Sequence, residues 1–326
     1  MKEILVTGAG GFIGSHLCET LVREGYNVRA MIRYNSGNCW GWLDVSPYRK
    51  KIEVVSGDIR NYDSVKSSVE GVDTIFHLAA LIGIPYSYQT PESYVDTNVK
   101  GALNILQAAR ELKVKKVVCA STSEIYGTAQ FIPISEEHAI NPQSPYAASK
   151  AAADFMALSF YRSFGTPVTI VRPFNTFGPR QSARAIIPTI ITQVLGGSKS
   201  VKLGFVDSIR DFTFINDTVR GFIAAGESGN TIGEVVNIGS NSEIKIRSLV
   251  ELIAKLSGKN ITIVTENLRK RPDQSEVKRL KADISKAKKL LNWVPKYTLE
   301  SGLQETIKWF RDLKNLTKYK TEIYNV

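Results

Sequence analysis

The chain has 326 residues, 43% hydrophobic and 22% charged, which suits one large or two modest globular domains. No apolar run reaches the roughly 18 residues of a membrane span, and the chain enters a first strand with no charged-then-apolar leader, so a soluble, cytoplasmic protein without membrane partners is expected. The net charge of +11 reads as a solvated basic surface or as a field that draws in an anionic small molecule; nucleic acid is disfavoured, because the densest basic stretch, Arg269 to Lys289, is broken by Asp273, Glu276 and Asp283 and lacks interleaved aromatics.

The first half alternates short β-rich runs with helical patterns. Strands are expected at Ile4–Thr7, Asn27–Ile32, Ile52–Ser56, Thr74–Leu78, Lys116–Ser121 and Val168–Arg172. Helices are expected at Ile13–Glu24, about Tyr62–Val69, Tyr94–Leu112 and Tyr146–Phe164. This alternation predicts right-handed βαβ units and an α/β fold, a doubly wound parallel sheet of the Rossmann kind. After Pro173 the pattern loosens, with strands expected at Asp211–Ile215 and Glu234–Ile238 and helices at Arg247–Leu256 and Leu299–Leu313. The expected division is a dinucleotide-binding domain (1–173 and 209–237) and a smaller, discontinuous substrate domain (174–208 and 238–318), with the ligand in the cleft between them.

Between the first strand and the first helix lies Thr7-Gly8-Ala9-Gly10-Gly11-Phe12-Ile13-Gly14. In that context Gly8 permits the tight turn, Gly11 lets backbone approach a pyrophosphate, Gly14 lets the helix pack closely, and the helix start at Phe12 and Ile13 faces the phosphates. The second strand ends at Arg33-Tyr34-Asn35-Ser36 without an acid for a ribose 2′-hydroxyl. Arg33 and Ser36 suit a 2′-phosphate, which favours NADP over NAD, although Arg33 also suits stacking on adenine or facing water. Asp58-Ile59 suits contact with adenine, or Asp58 caps the following turn. Cys18, Cys39 and Cys119, like His16, His77 and His138, are scattered without metal-ligand spacing, so no metal is expected.

Tyr146 and Lys150 are one helical turn apart on one face, where an ammonium favours a phenolate and makes the tyrosine a base. Glu124 follows the hydroxyl run Ser121-Thr122-Ser123 at the end of a buried strand. A phenol, an ammonium and a carboxylate can take one proton from an alcohol and another from carbon, which points to redox chemistry coupled to elimination.

These motifs, with Gly57-Asp58, His77-Leu78-Ala79-Ala80, Asn98 before Val99-Lys100-Gly101, Arg172 through Arg180, and Arg210-Asp211-Phe212, resemble those of the extended short-chain dehydrogenases/reductases over roughly residues 1–312. The resemblance implies action on a nucleotide-diphosphate sugar, with Leu78, Ala79, Ala80 and Asn98 near the cofactor. Retaining 4,6-dehydratases have a glutamate where Glu124 stands, epimerases tend to have small residues there, and inverting dehydratases have Asp-Lys. Ser123 departs from the Asp-Glu pair of the dTDP-glucose enzymes and resembles the Ser-Glu of GDP-mannose 4,6-dehydratases. The stretch Arg180 to Pro188, with Arg271-Pro272 and Ser275-Glu276-Val277, is most similar to the N-acetylglucosamine 4,6-dehydratases of legionaminic-acid biosynthesis.

The resemblance implies that Tyr146 takes the C4 hydroxyl proton, Lys150 lowers the tyrosine pKa, Thr122 bonds the C4 oxygen, and Glu124 takes the C5 proton. Glu124 or an ordered water then protonates the leaving C6 oxygen, with Ser123 in the same turn. The cofactor is expected to be tightly bound and recycled. Arg210, Asn175 and Arg271 are the candidates for the diphosphate, and Arg184 and Lys202 for the base, with UDP and GDP both open. Helices Tyr94–Leu112 and Tyr146–Phe164 are expected to form a four-helix homodimer interface, as in family members. The rival readings are a nucleotide-sugar 4-epimerase and a non-enzymatic NADP sensor.

Overall fold

The computed structural model describes residues 2–320 and Tyr324. Six strands, β1 (Glu3–Thr7), β2 (Asn27–Ile32), β3 (Ile52–Ser56), β4 (Thr74–His77), β5 (Lys116–Ala120) and β6 (Val168–Pro173), join a seventh, Val235–Ile238, in one sheet. Spatially the seventh strand comes first, followed by β6, β5, β4, β1, β2 and β3, and every pairing is parallel. The fold is therefore the expected doubly wound α/β sheet. Both faces are covered: Leu5, Val6, Ile75, Val117, Val118, Ile170 and Val171 are fully buried, and two apolar clusters lie against the sheet. The order reverses between β1 and β4, so a crevice opens there at the carboxyl ends of the strands.

The helix Pro145–Phe164 shows how local sequence fixes an element. Ser144 caps it by accepting from the Ala147 amide, Pro145 takes the first-turn position where no backbone donor is needed, and Gly165 ends it at φ 69°. Beyond β6, short paired strands frame the rest of the chain: Thr176–Phe177 with Thr213–Phe214, Ser200–Leu203 with Thr262–Thr265, and Ile209–Arg210 with Ile244–Lys245. The larger cluster runs from β1 and β2 through Phe177, Ile187 and Phe214 to Leu303 and Phe310, so one continuous core joins the sheet to the C-terminal helices.

Several elements differ from the sequence reading. Tyr94–Leu112 is not one uniform helix: Pro91–Tyr94 and Gly101–Glu111 are α-helical, and Val95–Lys100 between them is a π turn. The strand expected over Asp211–Ile215 shrinks to Thr213–Phe214, because Ile215 opens the helix Ile215–Glu227. The helix Ile186–Leu195 was not expected, because Pro188 reads as a break; here it sits in the first helical turn, where a proline is tolerated, and Ile187, Pro188, Ile190, Ile191 and Val194 are all buried. Among the described residues, no helix is long and apolar enough to cross a membrane.

The first helix, Phe12–Arg23, is tied to the second half of the chain. His16 Nε2 bonds the Pro179 carbonyl at 3.1 Å, and Arg180 reaches Ser15 Oγ (3.2 Å) and Glu19 (3.0 Å). Burial, with the Arg180 guanidinium, pushes the His16 pKa down from 6.5 to about 4. The unfolded chain therefore binds a proton that the native protein refuses across that window, and stability from this group falls as pH drops from 6.5 to about 4. In thermal unfolding at pH 7 and pH 5, His16→Gln is expected to lose less stability on acidification than the unmodified protein.

Candidate active site

The carboxyl ends of four neighbouring strands deliver the site. β1 runs into the glycine loop, where Gly8 adopts φ +69° and a Cβ would lie 2.9 Å from the Ala79 amide. Thr7 Oγ1 accepts from the amides of Leu78 and Ala79, both at 3.1 Å, and bonds His77 Nδ1 at 2.9 Å, which pins the end of β1 to the end of β4. Burial, with the Lys150 charge, pushes His77 down to about 3, so it stays neutral. Gly14 was expected to let the helix approach the sheet; its closest constraint is the loop itself, where a Cβ would lie 2.3 Å from the Gly8 carbonyl oxygen. The Gly11 cap has no side-chain acceptor, which leaves the first-turn amides for an anion and fits a dinucleotide pyrophosphate.

One cavity of about 750 Å³ gathers most of the residues singled out by sequence. Gly8, Gly11, Phe12, Ile13, Gly14, Arg33, Leu78, Ala79 and Ala80 line one part of it. Thr122, Ser123, Glu124, Tyr146 and Lys150 line its middle wall, and Asn175, Arg184, Lys202, Arg210 and Arg271 line the rest. Four residues stay off this wall. Ser36 lies in the exposed loop after β2. Asp58 caps the following turn, accepting from the Arg60 amide at 2.9 Å, and pairs with the Arg60 guanidinium at 2.6 Å; the helix beyond is capped by Asn61. Ile59 is packed against Gly101, where a Cβ would lie 2.5 Å from its Cδ1. Asn98 is 1% exposed; its amide bonds the Leu81 N–H (2.8 Å) and carbonyl (3.0 Å) and Ser149 Oγ (2.9 Å), so it joins the π turn to the wall and to the helix of Tyr146.

Burial holds the Tyr146 phenol well above its usual value, and the neighbouring Thr122 hydroxyl pulls the other way. The sequence reading expected a phenol lowered by Lys150. Instead Lys150 Nζ donates to the Ala120 carbonyl at 2.6 Å, and its own pKa is lowered by burial and raised by Asp154. Glu124 closes the wall with a side chain 13% exposed and an oxygen 3.9 Å from Arg271 Nη1, a nitrogen buried without a hydrogen-bond partner. Glu276 balances the two arginines, 3.1 Å from Arg210 Nη2 and 3.8 Å from Arg271 Nε. Lys202 pairs with Glu266 at 2.9 Å, while Arg184 is exposed and contacts Ser182 Oγ at 3.2 Å.

Other wall residues escaped the sequence reading. Trp40 and Gly41 fold back over the glycine loop, with the Trp42 amide donating to the Gly10 carbonyl at 3.0 Å. Ile82 to Pro85 supply an apolar stretch, held in part by a hydrogen bond from Tyr94 to the Gly83 carbonyl. Phe205, Arg269 and Tyr324 complete the wall near Lys202, with the Arg269 guanidinium 4.9 Å from the Tyr324 ring centre. The two tryptophans of the Trp40–Trp42 loop were a compositional signal; the other contacts join residues far apart in sequence and left none.

The sequence matches the family described as GDP-mannose 4,6 dehydratase over residues 5–306. It is 35% identical to the UDP-glucuronate 4-epimerase of Thermodesulfobacterium geofontis, over 98% of this chain and 99% of that protein. It is 33% identical to the dTDP-glucose 4,6-dehydratase of Streptomyces niveus, over 95% and 93%. Among solved structures, the fold is similar to dTDP-glucose 4,6-dehydratase from Bacillus anthracis in complex with NAD (TM-score 0.85, 30% identity, 97% of this chain and 98% of that one). It is also similar to UDP-glucuronic acid 4-epimerase from Bacillus cereus in complex with UDP-glucuronic acid and NAD (TM-score 0.86, 32% identity, 95% and 99%).

The glycine loop yields a direct test. A methyl group at position 14 forces the loop apart, so Gly14→Ala is expected to fold but to lose bound dinucleotide, measured by mass spectrometry of the denatured protein. Full retention of the dinucleotide would contradict the loop's role.

Proposed function

The chain belongs to the NAD-dependent epimerase/dehydratase family of extended short-chain dehydrogenases/reductases, and from that premise we propose that it is a 4,6-dehydratase of a nucleotide-diphosphate N-acetylglucosamine. The observation that carries this reading is Glu124, a carboxylate on the cavity wall in the same short turn as Thr122 and beside Tyr146. That arrangement offers a base for the oxygen on C4 and a separate acid/base group for C5 and C6.

In this reading Tyr146 takes the C4 hydroxyl proton while Thr122 bonds the same oxygen, and Lys150 orients the ribose of the cofactor. The ketone at C4 acidifies the C5 hydrogen. Glu124 takes that proton and passes one to the departing C6 oxygen, so that water leaves and the proton count of the site is unchanged. A dinucleotide held by the glycine loop would supply the hydride acceptor for C4 and the hydride donor for C6, and its positive charge would favour loss of the Tyr146 proton. Addition at C6 is completed by a proton at C5, equivalent to the one Tyr146 took from the C4 hydroxyl, so that the site returns to its starting state. The product is the 4-keto-6-deoxy sugar, and no external reductant is consumed. Arg210, Arg271 and Asn175 hold the diphosphate, Arg184 and Lys202 flank the base, and Ser123 supports the turn. Residues 1–173 and 209–237 form the dinucleotide-binding domain, which also brings Thr122, Glu124 and Arg210 to the sugar nucleotide; 174–208 and 238–318 form the substrate domain.

Arg33 on the wall, with no acid at the end of β2, favours NADP without help from Ser36. Phe155, Phe164 and Val95, at 57%, 50% and 55% exposure, suit a homodimer seam along helix Pro145–Phe164 and its neighbour. The reaction fits the cytoplasmic synthesis of legionaminic acid. A 4-epimerase is the second reading, favoured by the 35% identity to a UDP-glucuronate 4-epimerase.

The decisive experiment incubates the protein with UDP-N-acetylglucosamine or GDP-N-acetylglucosamine, without reductant, and follows substrate mass. Loss of one water with one of the two is the expected result and identifies the base; an isomer of unchanged mass establishes the epimerase instead. Glu124→Gln is expected to slow dehydration by about 10²-fold or more, whereas an epimerase would keep its turnover. In size-exclusion chromatography with light scattering, Phe155→Asp is expected to shift a dimer toward monomer.

A further inference from the structure

The four-residue turn Ser123–Tyr126, which carries Glu124, is anchored at both ends by one buried ion pair. Just before the turn, the Ser121 hydroxyl donates to Asp154 Oδ2 at 2.8 Å. The same oxygen accepts from Arg172 Nε at 3.0 Å, and both charged side chains are 3% exposed. At the end of the turn, Arg172 Nη1 donates to the Tyr126 hydroxyl at 2.8 Å, and that hydroxyl donates to Asn237 Oδ1 at 2.8 Å. Asp154 lies one helical turn beyond Lys150 on the helix that carries Tyr146. Arg172 and Asn237 are register partners on adjacent strands. A single network thus ties the Glu124 turn to the helix of Tyr146 and Lys150 and to the rigid sheet.

Tyr126 is fully buried and does not line the cavity, so it touches neither sugar nor cofactor. Its ring packs against Phe174 and His138, contacts that a phenylalanine would keep. What the hydroxyl adds is a fixed end for a turn whose central side chain is the proposed acid/base. Thr122 caps the start of the turn, accepting from the Glu124 amide at 3.2 Å, and Tyr146 sits on a helix capped by Ser144; neither is bonded to the Tyr126 hydroxyl.

We propose that Tyr126, held by Arg172, is a positioning residue that aims Glu124 at C5 and C6 of the sugar without taking part in the chemistry at C4. This inference rests on the dehydratase reading. In the step it serves, the C5–H bond breaks and its proton goes to Glu124, the C6–O bond breaks, the oxygen leaves as water with one proton, and a C5–C6 double bond forms, so that the step needs no further oxidant. A misplacement of a fraction of an ångström at such a group slows its own step and leaves earlier steps intact.

The test uses the holoenzyme with the sugar nucleotide that it dehydrates. Tyr126→Phe removes the hydroxyl alone. Arg172→Lys keeps a positive charge beside Asp154 but lacks a second nitrogen for Tyr126. Both variants are checked for thermal stability and bound dinucleotide. Each is expected to lower kcat for loss of water on the order of tenfold, with KM within about twofold of the unmodified enzyme. Reduced-nicotinamide absorbance is expected to build up on mixing with substrate, because oxidation at C4 outruns elimination. Unchanged kcat in both variants overturns the proposal. So does a parallel fall in C4 oxidation and elimination, which would make the network general support and nothing more. Failure of the unmodified enzyme to release water refutes the dehydratase reading itself, a result separate from either variant outcome.

Discussion

The buried pair of Arg172 and Asp154 is the constraint on which the geometry of the site depends. Taking two charges out of water costs several kcal/mol per ion, and mutual attraction offsets that cost only when the remaining donors and acceptors are also satisfied. Here they are: the carboxylate has Ser121 as a further donor, and the guanidinium has the Tyr126 hydroxyl. Removing one partner would strand the other charge, at a cost of about 3–5 kcal/mol. The pair therefore sets, at one point, the relative positions of β5, β6 and the helix Pro145–Phe164, and these three elements present Thr122, Glu124, Asn175, Tyr146 and Lys150.

A second level of organisation is electrostatic. The excess of positive charge extends into the cavity, whose wall carries Arg33, Lys150, Arg184, Lys202, Arg210, Arg269 and Arg271 against Glu124 and Glu276, and four of these cations are held by carboxylates. Arg210 and Arg271 face Glu276 and Glu124, and Lys202 and Arg269 face Glu266. Anions entering such a cavity meet guanidinium groups already oriented by carboxylates, so little side-chain ordering remains to oppose binding. Arg210 is almost wholly buried, and burial lowers its pKa against the opposite pull of Glu124 and Glu276.

The sheet and much of the cavity wall were legible in the sequence because they depend on local signals. Alternating β-rich and helical runs gave the sheet, glycine spacing gave the first loop, and a four-residue step placed Tyr146 and Lys150 on one face. The signals failed where partners far along the chain decide the outcome. Asn98 looked like part of a plain helix, but its bonds to Leu81 and Ser149 accompany a π turn. Asp58 looked available to a ligand, but Arg60, two residues on, occupies it. Tyr146 and Lys150 were legible as neighbours because spacing reports which face a residue occupies; the burial that raises the phenol and the short bond from Lys150 to the Ala120 carbonyl come from parts of the chain outside the helix. The helix Ile186–Leu195 was hidden because Pro188 reads as a break, although the first turn of a helix accommodates a proline.

The loop after β2 meets the glycine loop through main chain. The Trp42 amide bonds the Gly10 carbonyl, and a Cβ on Gly41 or Gly10 would collide with the opposing backbone. Within the loop the Asn35 side chain bonds both the amide (2.9 Å) and the carbonyl (2.7 Å) of Cys39, while Arg33, Tyr34 and Ser36 face solvent or the cavity rim. These exposed side chains can be exchanged one at a time without passing through a form in which the loop has lost its main-chain seat. Backbone geometry here separates the placing of the loop from the chemistry of its rim.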